Sequence, residues 1–129
     1  MAKLGVGVAR ILVIDDDPTV RELLRMVLEA EGHRVVEASD GQMGVDLYCN
    51  VPPDLIITDI NMPRMDGIEV IAEVKNRSPH AKIIVMSSGG KGLDAQFTLA
   101  VAADFGVRDA IAKPFTSLEV LAAVREMLA

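Results

Sequence analysis

The chain has no tryptophan, a single cysteine and only four aromatic residues, Tyr48, Phe97, Phe105 and Phe115. One cysteine cannot pair within the chain, so no disulfide framework holds this protein together. Cys49 sits in a segment with helical spacing and is read as a small buried or half-buried thiol, which favours a reducing, cytoplasmic setting. So few rings supply no base-stacking surface, and a net charge of −6, with lysines and arginines scattered among acids, supplies no phosphate-binding stripe. Direct nucleic-acid binding is therefore not expected. No run approaches the roughly 20 apolar residues that span a bilayer, so a soluble chain is expected.

At 129 residues the chain fits one domain, and a domain of that size buries roughly two thirds of its unfolded surface. Residues 1–9 are mildly apolar but glycine-interrupted and are read as a loose leader; 10–129 form the domain. Val- and Ile-rich runs at Ile11–Ile14, Arg34–Ala38, Leu55–Thr58, Ile83–Met86 and Ala110–Ala112 alternate with segments of helical period. Such a rhythm implies right-handed crossovers and a parallel sheet covered on both faces, an α/β fold.

The helix starts carry their own chemistry. Asp17 is placed to cap the first helix, Pro18 suits its first turn, and Val20, Leu23, Leu24, Val27 and Leu28 form the apolar stripe up to Gly32. Capping boxes are expected at Ser39–Gln42 and Thr116–Glu119. The third helix is expected from about Ile68 to Asn76 and the fourth from Asp94, with Val101, Ala102 and Phe105 serving the core.

The carboxylates are the informative part. The first strand runs into Asp15-Asp16-Asp17, and the apolar run Asp54-Leu-Ile-Ile-Thr-Asp59 ends in another acid. In open α/β sheets the ligand crevice lies beyond the carboxyl ends of the strands, so these acids would meet there and repel one another unless a hard cation sat among them. Mg²⁺, with Mn²⁺ as an alternative, suits such oxygen donors. Phosphoryl transfer needs a positioned nucleophile, a metal and donors for the equatorial charge. The fourth strand ends in Ser87, a hydroxyl donor, and the fifth in Lys113, an ammonium.

Four segments, Ile14-Asp-Asp-Asp-Pro-Thr-Val-Arg21, Thr58-Asp-Ile-Asn-Met-Pro-Arg-Met-Asp-Gly67, Met86-Ser-Ser-Gly89 and Ala112-Lys-Pro-Phe115, resemble the signatures of the receiver domain of two-component response regulators. The resemblance covers about Arg10 to Leu128 and is of the single-domain, chemotaxis-regulator kind. It implies a flavodoxin-like doubly wound (βα)₅ fold with strand order 2-1-3-4-5. It also implies Asp59 as phosphoacceptor, Asp16 as direct metal ligand, Asp15 acting through metal-bound water, and Asn61 giving a backbone carbonyl. Ser87 would be the switch hydroxyl and Lys113, before a cis proline bond, the phosphate cation. Asn61 and Gly89 would flank the hydrolytic water.

The implied partners are a histidine kinase or histidine phosphotransfer protein upstream and an unidentified protein downstream. The implied activity is signalling phosphoacceptance, self-catalysed, with no turnover of a separate substrate. One departure stands out: many receivers carry an aromatic residue where this chain has Ala110, so the glycine-rich stretch Ser88 to Phe97 is expected either to carry activation instead or to be a tolerated insertion at an exposed βα connection. Gly67 is expected to free a tight turn after Asp66. The chain's end just after the last helix is read as favouring a stand-alone regulator over a receiver cut from a longer regulator or hybrid kinase. A Mg²⁺-dependent phosphohydrolase is disfavoured by Asn61, where such enzymes commonly place a second acid, and a phosphorylation-independent module by the complete set of site side chains.

Overall fold

A computed structural model describes residues 8–62, 65–88 and 93–129. Among them, strands and helices alternate as β1 (Arg10–Ile14), α1 (Pro18–Ala30), β2 (Arg34–Ala38), α2 (Gly41–Asn50), β3 (Leu55–Asp59), α3 (Gly67–Arg77), β4 (Ile83–Ser88), α4 (Leu93–Asp104), β5 (Asp109–Lys113) and α5 (Ser117–Leu128). The strands form one parallel sheet in the order β2-β1-β3-β4-β5, as the family resemblance implies.

The sheet is covered on both sides because its strands are apolar on both sides. Successive strand residues point to opposite faces, so Leu12, Ile14, Ile56, Ile83 and Val85 join α2 and α3 residues such as Val45, Val70 and Val74 in one core. Ile11, Val13, Leu55, Ile57, Ile84 and Met86 join Leu24, Leu28, Val120 and Val124 of α1 and α5 in the other. β3, buried at all five residues, has no solvent face.

Caps set where the helices begin. Asp17 accepts from the Thr19 N–H at 2.9 Å with Pro18 in the first turn, and Thr116 and Glu119 form the expected reciprocal box at α5. The second box is corrected. α2 starts at Gly41, so Asp40 is its cap and accepts from Met43 N–H at 2.8 Å. Gln42 falls one position too early to reciprocate and donates to Asp46 instead. A box not expected, Asp66 with Glu69, opens α3 one residue before the predicted start. Gly32, at φ +92°, stops α1 in the left-handed region that favours glycine.

Three burial expectations change. Cys49 is exposed, because the buried stripe of α2 is Gly41, Gly44, Val45 and Tyr48 and Cys49 lies one residue round the helix. Phe105 is 40% exposed just past the end of α4, and Val107 takes the core position. Leu23 faces solvent at 44%. Of the expected leader, 1–7 lie outside the described residues, whereas Ala9 is buried and donates its N–H to His33 Nδ1 at 3.1 Å. No helix among the described residues is long and apolar enough to cross a membrane.

Candidate functional site

Strand register brings the acids together. Ile14 pairs with Ala38 on one side and Thr58 on the other, and the Asp15 N–H carries the β1–β2 ladder one step further to Ala38 O at 3.1 Å. The next residues along, Asp15 and Asp59, therefore stand side by side at the carboxyl edge. Asp59 pairs with Met86 and Ser88 with Lys113, so the ends of β4 and β5 reach the same edge. One ligand oxygen from each of Asp15, Asp16 and Asp59 lies within 4.8 Å of the others.

Asp15 is fully buried and Asp59 is 5% exposed, while Asp16 is exposed. Asp15 is tied on every side. Its Oδ1 accepts the Asp17 N–H at 2.9 Å, its Oδ2 accepts from Lys113 Nζ at 2.7 Å, and its carbonyl accepts from Arg21 Nη1 at 2.7 Å. Lys113 Nζ also stands 3.4 Å from Asp59 Oδ1, and the Lys113–Pro114 bond is cis.

Burial lifts the Asp59 carboxyl above the usual carboxylate range, and the neighbouring Asp15 charge adds to it; Lys113 opposes both without cancelling them. Burial alone would lower the Lys113 ammonium, but the hydrogen bond to Asp15 and the charges of Asp59 and Asp15 outweigh it and leave the group above its usual value. Two carboxylates about 5 Å apart repel by roughly 3 kcal/mol at an effective dielectric near 20, so a single ammonium leaves the trio short of positive charge. The donors are all hard oxygens, and Asp16 is open to solvent. That set fits a small divalent cation such as Mg²⁺, which typically takes one or two carboxylates and keeps several waters.

Among the other expected residues, Ser87 is buried on β4 one step past Met86, the partner of Asp59, and pairs with Ala112. Asn61 is exposed two residues beyond Asp59. Ala110 is exposed and pairs with Val85. Gly89 lies outside the described residues, as do Gly90, Lys91 and Gly92 of the glycine-rich stretch.

Two residues that the sequence reading left without a site role support this edge. At Gly67 a Cβ would fall 2.2 Å from the Asp59 carbonyl oxygen and 2.7 Å from Ile60 Cα. The glycine is required by close approach rather than by an unusual φ, and its N–H donates to Ile60 O at 2.7 Å. Arg21 sits in the first turn and a half of α1, where side chains lean back toward the helix N-terminus; that rule was the available signal for its reach to Asp15. At the opposite end of the sheet a cavity of about 520 Å³, lined in part by Val8, Tyr48, Asp54, His80 and Lys82, contains none of the clustered acids.

Comparison with known proteins identifies the family. The family described as the response regulator receiver domain matches residues 11–125. Over 119 residues the chain is 38% identical to response regulator MprA of Mycobacterium sp. (strain KMS), covering 92% of this chain and 50% of that protein. The chain thus spans about half the length of the curated relatives it matches. A response regulator receiver domain protein from Clostridium thermocellum superposes with a TM-score of 0.85 at 28% identity over 94% of both chains. Chemotaxis protein CheY4 of Vibrio cholerae shares the fold, with a TM-score of 0.83 at 24% identity over 95% of this chain and 100% of that one.

Proposed function

The chain belongs to the response regulator receiver family, and from that premise we propose that Asp59 accepts a phosphoryl group from the phosphohistidine of a kinase or phosphotransfer protein. Receiver domains bind Mg²⁺ at an acidic pocket and interact with such donors. Here Asp16, Asp59 and the Asn61 carbonyl would hold the cation directly and Asp15 through a bound water. When bound, the cation would neutralise charge on the phosphoryl oxygens as the group passes to the carboxylate.

The chain's own groups do the rest. An Asp59 carboxylate oxygen attacks phosphorus, the P–N bond to the donor imidazole breaks, and the imidazole leaves with the electron pair. Lys113, kept charged by its two carboxylates, balances a phosphoryl oxygen, and the Ser87 hydroxyl donates to another. Asn61 flanks the water that later cleaves the acyl phosphate. The new group brings about −1.5 to −2 charge, which draws Ser87 inward and alters the face offered to a downstream protein. With Ala110 in place of a ring on β5, no aromatic side chain at that position moves with it. The reaction is the domain's own phosphorylation and its hydrolysis, in the cytoplasm, not turnover of a separate substrate. The domain is proposed as 10–129, with Ala9 packed into its core. The stand-alone arrangement expected from the sequence is carried no further, since the relatives are about twice as long.

The observation that carries this reading is the cluster of Asp15, Asp16 and Asp59 with Lys113 bonded into it. Intact-mass spectrometry after incubation with Mg²⁺ and a small acyl-phosphate donor tests it. One added phosphoryl group, lost in Asp59→Asn and under chelation, supports it. Donor consumption with no adduct, even with a stable phosphate mimic, points to a hydrolase, and neither adduct nor consumption points to a phosphorylation-independent module.

A further inference from the structure

The geometry points to Arg21 as the positioning residue of the acidic site, a guanidinium that fixes the Asp15–Asp16 peptide plane from outside the pocket. The inference rests on the proposed role of Asp16 as a metal ligand. Arg21 uses two teeth of its fork at once: Nη1 donates to the Asp15 carbonyl at 2.7 Å and Nε donates to Glu37 Oε1 at 3.1 Å. A peptide unit is planar, so holding the Asp15 oxygen also holds the nitrogen and Cα of Asp16. Asp16 is exposed, so its carboxylate takes its place from that backbone.

Asp15 itself is anchored through its N–H and both carboxylate oxygens, and its carbonyl is the remaining handle on the loop. The anchor behind Arg21 is itself held. Glu37 accepts from Arg25 Nε at 2.6 Å, and Arg25 also donates to Glu29 at 2.8 Å and to Val35 O at 3.3 Å. Hydrogen bonding to Arg25 leads the forces that hold Glu37 below its usual pKa, with Arg21 adding to it against the effect of burial, so the brace is charged at neutral pH. Arg25 alone already ties α1 to β2; the second arginine on the same glutamate spends its other tooth on the strand end beside the acids. A lysine, with one compact ammonium, cannot span both acceptors as a planar fork does.

Calorimetric titration with Mg²⁺ tests this, at one temperature well below the unfolding midpoint of every variant. Arg21→Ala should weaken binding about 10-fold, the lower edge of the loss seen when groups that orient metal ligands are removed. Arg21→Lys should recover part of that loss, and Glu37→Gln, which leaves Arg21 its carbonyl but a weaker anchor, should weaken binding a few-fold. Phosphoryl uptake by Arg21→Ala should return to the parental rate at saturating Mg²⁺. Arg125→Ala, which removes an exposed pair with Glu31, should bind as the parent does.

Parental affinity in Arg21→Ala overturns the inference, as does an equal loss in Arg125→Ala, which would mark a general effect of lost ion pairs. If Arg21→Ala does not fold, parental affinity in both Arg21→Lys and Glu37→Gln overturns it. The site reading fails separately: if the parent does not bind Mg²⁺, or Asp16→Asn binds it as tightly, the acidic pocket is not the metal site and the role of Arg21 falls with it.

Discussion

Around Glu37 opposite charges come in matched numbers. The carboxylate takes one guanidinium N–H from Arg21 and one from Arg25, and Arg25 has Glu29 as a second partner. Around Asp59 three carboxylates cluster, and Lys113 pairs with two of them, Asp15 and Asp59. The two groups adjoin, since Arg21 touches both, yet they perturb their acids in opposite directions: Glu37 is held below its usual pKa and Asp59 above it. A matched cluster is complete as it stands and serves as a brace. An under-compensated one costs folding free energy, and that cost is what the proposed cation and phosphoryl group would relieve.

The contrast can be broken from either side. The largest effect is expected for Lys113→Ala, which strips the cation from two buried carboxylates. Removing one partner of a buried pair costs about 3 kcal/mol or more, and chemical denaturation in chelator at pH 7 should show that loss, with Mg²⁺ restoring part of it.

Asp59→Asn should act in the opposite sense. Relief of repulsion from Asp15 and of burial, less the lost 3.4 Å contact with Lys113, should stabilise the metal-free protein by about 1 kcal/mol. The folded state of the parent holds this proton more tightly than the unfolded state, so the parent loses stability as pH rises from the ordinary aspartate pKa through the raised value. The gap between variant and parent should therefore be absent in acid, open across that window and stay constant above it.

Glu37→Gln sharpens the comparison by reversing the sign. It should cost about 1 kcal/mol, discounted because the side chain is 29% exposed. The parent's advantage should be complete above the ordinary glutamate pKa and vanish as pH falls through the lowered one. The exposed Arg125–Glu31 pair sets the floor: Arg125→Ala should change stability by under about 0.5 kcal/mol, less still in high salt.

Much of the site was legible because it follows from strand ends. A buried parallel strand must be apolar throughout, so the first acid after such a run marks the sheet's carboxyl edge, and Asp15 and Asp59 were found that way. The strands prove longer than their apolar runs, since Asp59, Ser88 and Lys113 still join the ladder; backbone pairing does not stop where hydrophobicity does. The caps were readable in kind but not always in place, because Ser39 and Asp40 are both good caps and only the start of α2 at Gly41 selects between them. Gly67 and Arg21 could not be assigned from spacing, since one answers to a carbonyl eight residues earlier and the other to a glutamate 16 residues on, in β2. The swap of Phe105 for Val107 in the core depends on where α4 ends.

The central claim is that the under-compensated acid is the acceptor, and chemical trapping tests it most directly. The protein is incubated with Mg²⁺ and a small acyl-phosphate donor, then treated with borohydride, which reduces the acyl carbon of an aspartyl phosphate to the alcohol and releases phosphate. Peptide mass spectrometry then finds the aspartate that has become homoserine. Conversion at Asp59 alone, abolished by chelation, is the predicted result; conversion at another aspartate with Asp59 intact, or at none, would contradict it.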